Sequence, residues 1–112
     1  MTDFIDIGHI TDIPVQGARL VRTQRGDIAV FRTASGNFYA VDEYLEDKAG
    51  PLSNGIQHGE MVTDPMRNWV FDLATGEAQG ADEGRVATYD LKIAEGRILL
   101  ATAAIANQVA AE

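Results

Sequence analysis

Residues 45–69 read LEDKAGPLSNGIQHGEMVTDPMRNW, and this stretch decides the fold. Two short loops stand in it. The first, Leu45-Glu46-Asp47-Lys48-Ala49-Gly50-Pro51-Leu52, closes on a Gly-Pro turn. The second, Asp64-Pro65-Met66-Arg67-Asn68-Trp69, opens on a proline. Proline fixes φ and glycine frees it, so each loop has a rigid turn at one end. Between them, Ser53-Asn54-Gly55-Ile56-Gln57-His58-Gly59-Glu60 reads as a turn-rich connection.

The anchors Gly50-Pro51-Leu52-Ser53, Pro65 and Asn68-Trp69, with their spacing, resemble the paired cluster loops of the Rieske family. In that family two cysteines hold one iron of a two-iron two-sulfur cluster and two histidines hold the other. Counted from Pro51, the resemblance puts Leu45 and Asp47 at the first Cys and His positions, and Asp64 and Arg67 at the second pair. Leu45 has no donor atom. Asp47 and Asp64 offer hard oxygens that suit an iron–sulfide cluster poorly. Arg67 is permanently cationic and has no lone pair to donate. The resemblance implies a cluster, the residues lack its ligands, and the expected cofactor is none.

The whole chain has 112 residues, 46% of them apolar, and a net charge of −8. That is one folded domain with a single core. The acidic balance argues against nucleic acid, whose phosphates attract basic surfaces, and against an anionic membrane, so neither is expected as partner. The absence of cysteine removes disulfides, thiolate zinc sites and a cysteine nucleophile. Two histidines, His9 and His58, cannot make a three-histidine zinc site. No leader-like segment and no apolar run near the roughly 20 residues of a membrane helix set a cytoplasmic protein as the expectation.

Outward from the loops, short alternating or apolar runs are separated by glycine turns. Phe4-Ile5-Asp6-Ile7-Gly8 predicts a strand, and the following segment turns at Pro14. Residues 18–23, Ile28-Ala29-Val30-Phe31 and Phe38-Tyr39-Ala40-Val41 predict a three-stranded antiparallel meander with turns at Gly26 and Gly36. Residues 69–73 alternate again. Residues 87–93 read as one alternating strand, and a turn at 94–97 leads into Ile98-Leu99-Leu100-Ala101 as a closing hairpin. Residues 1–101 are thus one all-β domain. The alanine-rich tail, 102–112, places Ile105 and Val109 on one face of a short C-terminal helix.

Matching segments extend over most of the chain. They include Asp27-Ile28-Ala29-Val30-Phe31-Arg32-Thr33, Phe38-Tyr39-Ala40-Val41-Asp42, Gly50-Pro51-Leu52-Ser53-Asn54-Gly55, His58-Gly59 and Phe71-Asp72-Leu73-Ala74-Thr75-Gly76-Glu77-Ala78. Together they resemble the small subunit of assimilatory NAD(P)H-dependent nitrite reductase. The resemblance implies a Rieske-like antiparallel β-sandwich with a two-loop subdomain. As partner it implies a large catalytic subunit that reduces nitrite to ammonia. The expected role is then a non-catalytic, cluster-free subunit docking through Lys48, Pro51, Pro65 and Met66. The alternatives are a Rieske-type electron-transfer ferredoxin and a variant scaffold without redox function. At the replaced ligand positions, three readings stand: Arg67 bridges Asp47 and Asp64 across the loops, the residues face water, or the two carboxylates hold a hard cation.

Weaker signals have structural readings. Ser35 or Ser53 with a histidine makes a triad only on paper. Asp42, Glu43, Glu46 and Asp47 read as a solvated acidic loop. His9 and His58 read as turn residues and Trp69 as core packing. The glycines form no phosphate-binding fingerprint, so no nucleotide site is expected.

Overall fold

The computed structural model describes residues 4–22, 26–44, 51–65, 69–79 and 84–101. Its strands are β1 (Phe4–His9), β2 (Ala18–Arg22), β3 (Asp27–Arg32), β4 (Phe38–Asp42), β5 (Ile56–His58), β6 (Met61–Thr63), β7 (Val70–Asp72), β8 (Thr88–Tyr89), β9 (Leu91–Ala94) and β10 (Arg97–Ala101). All pairings are antiparallel, in three sheets ordered β1-β10-β9, β2-β3-β4-β8 and β5-β6-β7. The all-β expectation holds, and the meander and closing hairpin stand where they were read.

β3 explains the layering. Its run Ile28-Ala29-Val30-Phe31 is buried throughout, as a continuous apolar run suggests for a strand covered on both faces. Successive side chains point to opposite faces. Ala29 and Phe31 join Val41, Leu52, Val62, Phe71, Leu73 and Val86 in one cluster, against the small sheet β5-β6-β7. Ile28 and Val30 join Ile13, Ala40, Ile98 and Leu100 in a second, against β1-β10-β9. The meander is the middle layer, and the sheet next to the two loops packs on one side of it.

Two local readings change, and the turn after β1 is sharpened. The connection between the loops is a 3-10 turn (Leu52–Asn54) followed by the hairpin β5–β6. Gly59 makes its turn possible with φ at 61°. The single strand read at 87–93 is divided at Asp90, so that β8 pairs with β4 and β9 with β10. The segment after β1 is a 3-10 turn (Ile10–Asp12) that His9 caps by accepting the Thr11 amide. Arg32 ties that turn to the meander by donating to the carbonyls of Ile10 and Ile13, both at 3.0 Å. The helix expected at 102–112 lies outside the described residues.

Candidate functional site

The site is built from the strand ends that carry the two loops. Period-two alternation along β4 puts Val41 inward and, two residues on, Glu43 as well. Glu43 is 1% exposed. A carboxylate there needs partners, because burying an unpaired charge is expensive. Ser53, just beyond the first loop, supplies them. Its amide donates to Glu43 Oε1 at 2.6 Å and its hydroxyl to Oε2 at 2.5 Å, while the Leu52 amide donates to the Glu43 carbonyl at 3.0 Å. Three bonds thus close the base of the first loop. Leu52 anchors it in the core at 0% exposure.

The second loop is closed differently. The Asp64 amide donates to the Trp69 carbonyl at 2.7 Å, joining the end of β6 to the start of β7. Asp64 itself is 0% exposed. Trp69 is half-buried and lies 6.4 Å from Phe71, ring to ring, which bears out its packing role. Gly55 lets β5 approach β6. A Cβ there would sit 2.2 Å from the Thr63 carbonyl oxygen, closer than any side chain tolerates.

Polar contacts fasten this small sheet to the meander. Gln57 Nε2 donates to the Gly17 carbonyl at 2.9 Å. The Ser35 hydroxyl, on the β3–β4 turn, donates to the Glu60 carboxylate on the β5–β6 turn. Buried Thr33 and exposed Asn37 extend the network through Ser35. Hydrogen bonding, led by Ser35, holds the Glu60 carboxyl below the usual range; burial and then the neighbouring Glu60 push the Tyr39 phenol up.

Of the residues singled out in the sequence, Pro51, Asp64 and Pro65 are described; Leu45, Asp47, Lys48, Met66 and Arg67 lie outside the described residues. The burial of Asp64 removes the water-facing reading for that residue. The bridge to Arg67 and the cation site with Asp47 involve positions outside the described set. Ser35 and Ser53 commit their hydroxyls to Glu60 and Glu43, so the paper triad is not assembled. The solvated reading of the acidic run fails at Glu43, and Asp42 accepts the Tyr89 hydroxyl at 2.5 Å. His58 contacts Thr63 Oγ1 at 2.7 Å across the hairpin. Glu43 is the residue that the sequence reading missed. Its signal was the inward phase it shares with Val41. Among the described residues no group of three or more histidine and carboxylate side chains could hold a metal ion, and no helix is long and apolar enough to cross a membrane.

A family model described as a Rieske-like [2Fe-2S] domain matches residues 3–101. The ferredoxin component of the naphthalene 1,2-dioxygenase/salicylate 5-hydroxylase systems of a Ralstonia species is 28% identical over 99 residues, 88% of this chain and 94% of that protein. A structure from Mycobacterium tuberculosis, assigned as an NADH-dependent nitrite reductase small subunit, superposes with a TM-score of 0.79 at 23% identity, covering 90% of this chain and 96% of the other. The complex of reduced oxygenase and oxidized ferredoxin in carbazole 1,9a-dioxygenase contains a chain with a TM-score of 0.75 at 21% identity, covering 86% and 99%. These likenesses agree with the fold.

They also correct the expectation of no cofactor. The matched family is a [2Fe-2S] domain family and the sequence relative is a ferredoxin, so an iron–sulfur group is what the match implies. The side chains of this chain do not fit the usual way of holding it. Two thiolates and two imidazoles are required; the sequence has no cysteine, and its two histidines serve the cap at Thr11 and the contact with Thr63. No electron-transfer step can be routed through ligands that the sequence does not contain.

Proposed function

The chain belongs to the Rieske-like [2Fe-2S] domain family, and from that premise we propose that it is the small, non-catalytic subunit of an NAD(P)H-dependent nitrite reductase, docking on the large subunit through its loop end. The observation that carries this reading is the pairing of intact loop bases with a donor set unlike a ferredoxin's. Glu43–Ser53 and Asp64–Trp69 hold the bases of both loops, while the sequence provides no thiolate. The preserved loop bases support association with a partner through this end of the molecule. The likeness to a nitrite reductase small subunit supports the choice of partner.

The docking candidates are Lys48, Pro51, Pro65 and Met66, which belong to the two loops in sequence. Tyr44, 47% exposed, and Ile56, 71% exposed, flank the bases and add apolar area. NADH-dependent nitrite reduction is measured with the large subunit alone and with this chain co-expressed, together with iron and sulfide content. A stable complex with altered activity is expected, and Pro65→Glu should weaken it by about tenfold, as charges in an apolar interface centre do. No complex and no change in activity would sink the proposal.

The ferredoxin relative favours a second reading, service to an aromatic-ring oxygenase. Reduction of such an oxygenase through this chain, by a ferredoxin reductase, would establish it in place of the first.

A further inference from the structure

Away from the loops, an open groove of about 500 Å³ runs between β1 and β2, lined by Asp6, Gly8, Arg19, Leu20, Arg22 and Arg97 among others. Both strands are sheet edges: β1 ends the sheet β1-β10-β9 and β2 ends β2-β3-β4-β8. An edge presents unpaired main-chain donors and acceptors. The two edges differ. β1 carries a register shift between Asp6 and Gly8, and such a bulge interrupts pairing. β2 is regular along its length.

The phase of β2 follows from one bond. The Arg32 amide donates to the Gly17 carbonyl, so residues 17, 19 and 21 bond toward β3 and the amides of Leu20 and Arg22 point to the open side. Three of the nine cationic side chains line this groove in a chain of net charge −8. Arg97 is held by a two-bond contact with Asp6 at 2.8 and 3.0 Å. Arg19 lies over Gly8 beside Asp12, at 3.4 Å. Arg22 is exposed and pairs with no carboxylate among the described residues.

We propose that this groove binds an extended acidic segment of a partner protein, which adds as a strand to β2 and places its carboxylates on Arg22, Arg19 and Arg97. Main-chain pairing supplies affinity and the arginines supply selection, the usual division in strand addition. A second copy of this chain is disfavoured as occupant by its like charge. The inference does not depend on the nitrite reductase reading, since the groove shares no residue with the loop end.

The probe is a fluorescein-labelled decapeptide of paired Glu residues separated by Val and Thr, which presents carboxylates on both faces of an added strand, titrated with the full chain and read by anisotropy. Binding that weakens with salt is expected, with a lysine-for-glutamate peptide failing to bind. Arg22→Glu should weaken binding about tenfold or more by like-charge repulsion. Leu20→Pro, which removes an outward amide, should weaken binding while leaving its salt dependence unchanged. The circular dichroism melt of each variant verifies folding, and Arg22→Ala serves if Leu20→Pro does not fold. Equal binding of acidic and basic peptides, no binding at all, or full competition by inorganic phosphate at matched ionic strength would overturn the proposal, the last by revealing a small-anion site.

Discussion

The two faces of β3 meet layers held in different ways. Toward β1-β10-β9, the contact is an aliphatic cluster of Ile13, Ile28, Val30, Ala40, Ile98 and Leu100, backed by ladders of four or five paired residues. Toward β5-β6-β7, the strands are three residues long. That sheet relies on Phe71, Leu52 and Val62 in the core, and on individual polar contacts at Gln57, Glu60 and Glu43. A long ladder tolerates the loss of one contact because its neighbours persist. A short sheet fastened at a few points does not. The layer nearest the functional loops should therefore open first.

Phe71→Ala should have the largest effect. Removing a fully buried phenylalanine costs about 3–5 kcal/mol, and hydrogen exchange should rise in β6 and β7 before β3. Ile98→Ala, on the opposite face, costs about 2–5 kcal/mol but should lower protection across the domain together. The same exchange pattern in both variants would break the contrast.

Glu43→Ala follows, because two bonds to Ser53 disappear and its half-buried amide loses its partner. The expected loss is about 2–3 kcal/mol, read from the urea midpoint. Glu43→Gln should recover part of it. Gln57→Ala, with one bond to Gly17 lost, should cost about 1 kcal/mol and loosen β5 more than β2. Smallest is the acid response. The carboxyls of Glu60 and Asp6 are held below their ordinary values, first by Ser35 and Arg97 respectively. Their contribution is present in full above the ordinary carboxylate pKa of about 4 and is lost as pH falls through the lower folded values. Glu60→Gln should therefore flatten the fall in melting temperature below pH 4, and an unchanged profile would remove Glu60 from the network.

The middle layer was legible because its signals are local. Ile28-Ala29-Val30-Phe31 and Phe38-Tyr39-Ala40-Val41 are bounded by glycine turns, and neighbouring strands pair in chain order. The hairpin β5–β6 escaped because three residues a side leave too little alternation to count, and Gln57 occupies an inward position. The split at Asp90 escaped because a strand that changes sheets keeps its apolar rhythm. The loop positions stood out by spacing, whereas the clamp under them did not: Glu43 sits in an acidic run that looks solvated until its phase with Val41 is followed. The cofactor expectation failed for another reason. It weighed this chain's donor atoms alone, and family membership speaks for a [2Fe-2S] group.

The pairing of β1 with β10 has a consequence in time. Asp6 and Arg97 are 91 residues apart along the chain, while β2, β3 and β4 pair with immediate neighbours. Local pairings close quickly and distant ones wait on the entropy of a long loop. A chain emerging from the ribosome can assemble its middle sheet early, but β1 has no partner until residues 97–101 arrive. β1 is thus made well before its partner β10, and for that interval its apolar residues Phe4, Ile5 and Ile7 are open to chaperones or to other chains.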